Sequence, residues 1–333
     1  MLMTNRSLFK NYTIFNLLIA LTMALSAIYL FLSDSKDGLF YQEAFGELND
    51  DIYYSARDFL FWGGLYLFKL LGFGFAISLV PILCLSLSLK LNALSFFGNG
   101  FLFVVLGYSA IFFLLHESCQ LRIAIGLSFA LSACQAIVMR RVLMSLLMVI
   151  LGAGFHSMSV LLPVVFCLSW SSIKIRKFSW FFLFAGIAFF LNGQLFGVYT
   201  ITELLDLGLL DEHYRGYIEH SRLQTQDSSG LMIPYAFALT CVLIIICMWL
   251  KRNKQYSTAL LECCLAVCVF GNGILFLMYD AVAFASRISD VLIILIIPLI
   301  SVIANRVSFL YQLIIVLAFV MIFCARYYQL YLM

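Results

Sequence analysis

Residues 12–31 read YTIFNLLIALTMALSAIYLF, a run without a single charged side chain. Its length matches the roughly 20 apolar residues that cross a bilayer as one helix. Similar runs recur to the end of the chain, and the whole sequence is 64% hydrophobic and 11% charged. Because a soluble domain is about 45–50% apolar and about 25% charged, the sequence predicts an all-α, polytopic membrane protein.

The number of apolar runs predicts about 11 transmembrane helices, with a range of about 9–12. After Tyr12–Phe31, the runs are Phe73–Leu89, Leu94–Leu115, Leu121–Val138, Val142–Phe155, Met158–Trp170, Ser179–Phe196, Leu231–Leu250, Ser257–Tyr279, Ile288–Ala304 and Ser308–Cys324. The fifth and sixth runs are too short for the ~30 Å hydrocarbon core, and we interpret them as a hairpin that turns at His156. The runs leave no room for a separate soluble domain, so we expect residues 1–333 to form a single membrane domain.

The segment 57–72, RDFLFWGGLYLFKLLG, decides the topology, because every later link changes side if this segment spans the membrane. If it lies on the outer surface as an amphipathic helix, more than half of the 20 Lys+Arg fall in cytoplasmic links, with only Glu262 of the 17 acidic residues nearby. These basic residues are Arg6, Lys10, Lys90, Arg140, Arg141, Lys174, Arg176, Lys177, Lys251, Arg252, Lys254 and Arg306. The positive-inside rule favours this arrangement, which predicts a cytoplasmic amino terminus and an external carboxyl terminus.

Two long polar regions then lie outside: residues 33–72, a loop plus the interfacial helix, and residues 197–230, a large loop. We expect any chemistry at this outer face, because the cytoplasmic links are a few residues long. Ionisable residues at helix ends or within spans are costly and mark candidate functional positions, although each could instead form a structural ion pair. Arginine binds phosphate or diphosphate in a bidentate manner, and the aromatic loop sequences DIYYSARD and HYRGYIEH suit sugars. The pattern predicts a lipid-linked, sugar-bearing substrate.

Four segments in order resemble the EpsG/Wzy group of bacterial polysaccharide polymerases, which includes O-antigen polymerases. The first is DDIYYSARDFLFWGGLYLFKLLG, and the second is ESCQLRIAIGLSFALSA, with an arginine just inside a helix. The third is RRVLMSLLMVILGAGFHSMSVLLP, and the fourth is ASRISDVLIILIIPLI, where an arginine opens a span. Together they extend over most of the chain.

The resemblance implies a metal-independent glycosyltransferase at the periplasmic face of the bacterial inner membrane, with undecaprenyl-diphosphate-linked oligosaccharides as substrates. Its partners would be the bilayer, a chain-length regulator and a flippase, with no nucleic acid. No metal-binding triad occurs, so we expect neither a metal nor another cofactor. Diphosphate binding would fall to Arg122 and Arg287, assisted by Arg57 and Arg215. The other substrate-binding candidates are Tyr217, His220 and Arg222.

A general base must take the proton of the acceptor hydroxyl. The candidates are Asp58, Glu117, His156 and Asp280, with His220 as a further one, and the sequence does not choose among them.

Two other functions compete with this interpretation. A transporter or flippase for lipid-linked sugars would usually show two related halves, which this sequence lacks. A membrane O-acetyltransferase would open with an arginine-rich, glycine-bearing segment, whereas this chain begins MLMTNRSLFKNYTIF. A purely structural membrane subunit gives no reason for two large charged outer loops.

Overall fold

The structure, a computed structural model, describes residues 6–34, 36–49, 58–98, 100–196, 234–255, 257–279 and 282–331. Throughout these ranges the regular elements are helices, which confirms the all-α prediction. In chain order they are α1 (Arg6–Asp34), α2 (Lys36–Glu47), α3 (Phe59–Leu70), α4 (Phe75–Phe97), α5 (Phe101–Cys119), α6 (Leu121–Val138), α7 (Val142–Phe155), α8 (Leu161–Ser171), α9 (Ile173–Phe196), α10 (Pro234–Arg252), α11 (Ala259–Leu277), α12 (Val282–Ile293), α13 (Ile296–Ala304) and α14 (Phe309–Tyr331).

Six of these helices are long and apolar enough to cross a membrane: Ile14–Ser33 within α1, and α4, α5, α6, α10 and α11. A seventh candidate is the pair Phe284–Ile293 and Ile296–Ala304, which is bent by 42° at its break. The chain is therefore a multi-pass membrane protein, as the composition predicts. The figure of about eleven spans stays a prediction.

The segment that decides the predicted topology is the short helix α3. Its 12 residues extend over about 18 Å, which is less than the ~30 Å hydrocarbon core. The break between the two short runs lies where the sequence predicts it, because α7 ends at Phe155 and the following 3₁₀ turn begins at Ser157. The hairpin itself stays a prediction. The helices α7 and α8, with 14 and 11 residues, are both too short to cross a bilayer directly.

One expectation about charge is wrong. Lys90 does not lie in a cytoplasmic link, because α4 continues past it to Phe97. The lysine is fully buried and forms an ion pair with Glu117. Pairing allows a charge to remain inside an apolar helix bundle where an isolated charge would be very costly.

The chain divides into two compact units, Met1–Pro163 with Ile300–Met333, and Val164–Leu299. In the first unit, α4 packs against α1 and α6, α6 against α7, and α14 against α5. In the second unit, α11 packs against α9 and α12. The Asn272 amide of α11 also donates to the hydroxyl of Thr240 on α10 at 2.8 Å. This hydrogen bond joins two of the helices that are long enough to span the membrane.

Candidate functional site

The first unit brings three of the predicted site residues together. Arg122 lies in the first turn of α6, and its Nη1 donates to Asp58 Oδ2 at 2.7 Å. His156 follows the last residue of α7, and its Nδ1 lies 3.3 Å from the same Asp58 oxygen. The carboxylate therefore lies between a permanent cation and an imidazole, residues that are 64 and 98 positions away in the sequence.

Arg122 has a second partner that the sequence pattern did not indicate. Its Nε donates to the hydroxyl of Tyr41 at 2.6 Å. We call these four residues, Tyr41, Asp58, Arg122 and His156, the arginine cluster. Nothing in the sequence marks Tyr41, which is one tyrosine of 17 in the chain and lies in an acidic helix rather than next to an arginine.

Close packing of α6 on α7 explains how Arg122 and His156 both reach Asp58. The two helices cross where a Cβ atom on Gly126 would lie 3.1 Å from the carbonyl oxygen of Gly152. Small residues at a crossing allow two membrane helices to approach closely. Arg122 lies one turn before Gly126 and His156 one turn after Gly152, so both side chains fall on the same side of the crossing of these antiparallel helices.

Asp58 is held at the start of α3 in an unusual backbone conformation. Its φ is 63° and its ψ is 49°, the left-handed region, which costs an L-residue other than glycine roughly 1–2 kcal/mol. Its carboxylate does not cap its own helix, so it is available to Arg122 and His156. The next residue but one, Leu60, packs on Gly154 of α7, and this contact seats α3 beside His156.

Lys69, near the far end of α3, fixes this helix to α2. Its ammonium group donates to the carbonyl oxygens of Gly46 and Leu48 at 2.7 and 2.8 Å. A cation at these carbonyls also matches the negative end of the α2 dipole. The two helices that carry Tyr41 and Asp58 are therefore joined to each other.

The cluster is partly exposed rather than sealed. The side chain of Arg122 is 33% exposed, that of His156 19% and that of Asp58 8%. Within the part of the chain that the structure describes, the hydrogen bonds of Arg122 use Nε and Nη1. The first amides of α6, which have no acceptor within a helix, lie on the same turn. An arginine at a helix amino terminus is well suited to an oxyanion.

Two more of the predicted site residues are described, and neither is a member of the arginine cluster. Glu117 is fully buried and pairs with Lys90 and Tyr108, none of which belongs to the arginine cluster. Arg287 lies on α12 in the second unit, where its side chain is exposed. Six predicted residues lie outside the described residues: Arg57, Arg215, Tyr217, His220, Arg222 and Asp280. The described ranges contain no group of three His, Cys, Asp or Glu side chains that could hold a metal ion.

Comparison with known families gives one match. The sequence model of the EpsG family matches residues 12–333. The chain belongs to the EpsG family. Membership supports a membrane protein of polysaccharide biosynthesis. No curated protein and no solved structure matches this EpsG-family chain.

Proposed function

We propose that the chain is an O-antigen or related surface-polysaccharide polymerase that joins undecaprenyl-diphosphate-linked repeat units at the periplasmic face of the inner membrane. The observation that carries this proposal is the arginine cluster, in which a partly exposed Arg122 lies beside His156 with Asp58 between them. Membership of the EpsG family supports a role in polysaccharide biosynthesis.

The proposed reaction transfers a growing glycan from its lipid carrier to a fresh repeat unit. The hydroxyl of the nonreducing sugar of the acceptor attacks the anomeric carbon of the donor glycan. The bond between that carbon and the diphosphate oxygen breaks, and undecaprenyl diphosphate leaves with the electron pair. The proton of the attacking hydroxyl passes to a base, so the products are a longer lipid-linked glycan and free undecaprenyl diphosphate.

Arg122 is the proposed binding group for the diphosphate. Negative charge grows on the bridging oxygen as the glycosidic bond breaks, and a fixed cation at that point lowers the barrier. Asp58 and the close packing of α6 already hold the guanidinium in place, so little reorganisation is needed during the reaction. Arg57, Arg215 and Arg287, which the sequence also singled out, remain proposed contributors to substrate binding.

His156 is the proposed general base. In the tautomer that carries its proton on Nδ1, this nitrogen donates to Asp58, and Nε2 is left to accept the proton of the acceptor hydroxyl. The Nδ1 to Oδ2 distance of 3.3 Å is longer than the usual range of about 2.7–3.2 Å, and such contacts often tighten when substrate binds. Asp58 then orients the imidazole in addition to holding Arg122.

The topology that goes with this proposal has a cytoplasmic amino terminus and a periplasmic carboxyl terminus. It is supported by the basic residues of the links between helices, which outnumber acids on one face even without Lys90. A chain-length regulator and a flippase are the proposed partner proteins, because a polymerase needs a supply of flipped repeat units and a limit on chain length.

The test is complementation of a deletion strain, read as a surface-glycan ladder on a gel. We expect loss of the gene to leave glycan with a single repeat unit, and the wild-type chain to restore the ladder. Arg122→Ala should not restore it, although the variant reaches wild-type levels in the membrane. Arg141→Ala is the matched control, because Arg141 is an exposed arginine beyond the opposite end of α6.

The other outcomes identify the competing functions. A deletion strain that lacks even the single repeat unit would indicate a flippase. A normal ladder with altered acetyl content would indicate an O-acetyltransferase. A full ladder from Arg122→Ala would contradict the proposed role of the arginine.

A further inference from the structure

We propose that Tyr41 is a positioning residue that fixes the guanidinium of Arg122 for the diphosphate. This inference rests on the proposed function and adds a residue that sequence patterns did not indicate. It starts from two hydrogen bonds: Nε to the Tyr41 hydroxyl at 2.6 Å and Nη1 to Asp58 at 2.7 Å. Bonds from two different nitrogens fix both the position and the rotation of a planar guanidinium, whereas either bond alone leaves the group free to turn.

The Tyr41 hydroxyl can serve as an anchor because its ring is immobilised. The residue is 5% exposed, and its ring is stacked on that of Trp62 with a centroid distance of 5.6 Å and an interplanar angle of 16°. The ring of Phe61 meets it edge-on, also at 5.6 Å. Both contacts are of the favourable aromatic geometries.

These aromatic contacts join the two anchors of Arg122 into one packed body. Phe61 and Trp62 belong to the first turn of α3, the helix that Asp58 precedes. Tyr41 belongs to α2, which Lys69 fastens to the other end of α3. A displacement of Tyr41 would therefore shift Asp58 with it, and the two acceptors keep a constant spacing for Arg122.

A tyrosine suits this position better than a second carboxylate would. A neutral hydroxyl accepts the Nε–H without cancelling more of the positive charge that the diphosphate needs. Burial raises the pKa of the Tyr41 hydroxyl above its ordinary value, although the Arg122 guanidinium opposes this effect. The hydroxyl therefore stays neutral at physiological pH, in addition to being held in place by its packing.

The test measures the Kd of the purified full chain, in lipid nanodiscs, for undecaprenyl diphosphate. Tyr41→Phe removes the hydroxyl and keeps the ring stacked on Trp62. We expect Kd to rise on the order of tenfold, the effect of losing one hydrogen bond to a charged group. Tyr29→Phe is the control and should leave Kd unchanged, because Tyr29 is 72% exposed on α1.

A second background separates positioning from a general structural role. Arg122→Lys keeps the charge but replaces the fork by a single nitrogen. If Tyr41 acts through Arg122, Tyr41→Phe should change Kd by less than about twofold in the lysine background, since coupled residues are not additive. An equal rise in both backgrounds would overturn the proposal, and so would an unchanged Kd for Tyr41→Phe in the wild-type background.

These results also separate this inference from the proposed function. If Arg122→Lys and Arg122→Ala both bind undecaprenyl diphosphate as tightly as the wild type, the diphosphate role itself fails. If both Arg122 variants bind undecaprenyl diphosphate weakly but Tyr41→Phe binds it as tightly as the wild type, only the role of Tyr41 fails. Should Tyr41→Phe not accumulate in the membrane, Tyr41→4-methylphenylalanine makes the same comparison, because it keeps the ring and replaces the hydroxyl by a methyl group.

Discussion

The first unit contains two clusters of similar chemistry in very different surroundings. The arginine cluster combines a carboxylate, an arginine and a tyrosine with His156, and the side chain of Arg122 is 33% exposed. The lysine cluster, which consists of Lys90, Tyr108 and Glu117, also combines a carboxylate, a base and a tyrosine. The side chains of its ion pair are 0% exposed.

The lysine cluster ties α4 to α5 around a single oxygen atom. Glu117 Oε1 accepts from the ammonium of Lys90 and, at 2.6 Å, from the hydroxyl of Tyr108. Lys90 also lies 3.0 Å from the Tyr108 hydroxyl. Each of the three side chains thus bonds the other two, which is the way a buried charge becomes tolerable.

A local irregularity in α5 helps these groups to converge. Tyr108 and Glu117 are nine residues apart, about two and a half turns of a regular α-helix, which would place them on opposite faces. The segment Ser109–Phe113 between them is a π-helix, whose wider turns change the phase of the residues that follow. Glu117 can therefore face the same neighbour as Tyr108.

Exposure of the side chains, rather than residue type, separates the structural ion pair of the lysine cluster from the candidate site. The lysine cluster has no exposed face for a substrate, so its charges serve the packing of two spans. The arginine cluster leaves part of Arg122 uncovered, so a ligand can reach it. Three predictions test this distinction, from the largest expected effect to the smallest.

The largest effect is expected at the arginine cluster, on the rate of polymerisation. His156→Ala should lower kcat for polymerisation by roughly 10²–10⁴-fold, the usual contribution of a general base, with an unchanged melting temperature. The measurement is polymer formation by the purified chain from lipid-linked repeat units. Ser157→Ala, a change at the adjacent exposed residue, should retain full activity. A wild-type kcat for His156→Ala would contradict the proposed role of His156 as the general base.

The next largest effect is expected at the lysine cluster, on the stability of the fold. Lys90→Ala should lower the free energy of unfolding by about 3–5 kcal/mol, because it leaves a buried carboxylate without its cation. Lys90→Met combined with Glu117→Leu should recover much of this loss, since it removes both charges. Melting in detergent measures both variants, with Lys174→Ala, a change at an exposed lysine, as the control. If Lys90→Ala melted normally but had lost activity per folded molecule, the lysine cluster would belong to the catalytic machinery.

The smallest effect is expected where α6 crosses α7 beside the arginine cluster, again on the stability of the fold. In Gly152→Ala the new Cβ would lie 3.0 Å from Ser159 Oγ and 3.1 Å from the Gly126 carbonyl oxygen. Relieving these contacts separates α6 from α7, and the cost of such overpacking is typically about 1–3 kcal/mol. Gly46→Ala is the control, because its Cβ would meet nothing within 4 Å. Equal melting temperatures for the two variants would show that the crossing tolerates a larger residue.

Much of the helical framework was predictable. The break at His156, the start of α7 at Val142 and the bounds of α6 coincide with those of the predicted runs, because an apolar run and its polar boundary are local properties. Lys90 shows the limit of this approach. A charge between two apolar runs predicts a link, but α4 continues to Phe97, and the buried charge of Lys90 is tolerated because Glu117 of another helix pairs with it.

The candidate site was predictable only as separate residues. Asp58, Arg122 and His156 were each singled out for their chemistry, but so was Glu117, and the sequence did not rank them as a base. The role of Tyr41 could not be predicted from the sequence, because a tyrosine in an acidic segment is typical of many solvent-facing helices. Its role depends on a hydrogen bond to a residue 81 positions away.

The sequence by itself determined that this is a multi-pass helical membrane protein with its chemistry-bearing residues at helix ends. Hydropathy and charge suffice for that, since the bilayer acts on each segment separately. The tertiary structure decided which polar residues meet and which of them a ligand can reach. Those outcomes depend on close approaches such as that of Gly126 and Gly152, where backbone shape rather than hydrophobicity sets the distance between helices.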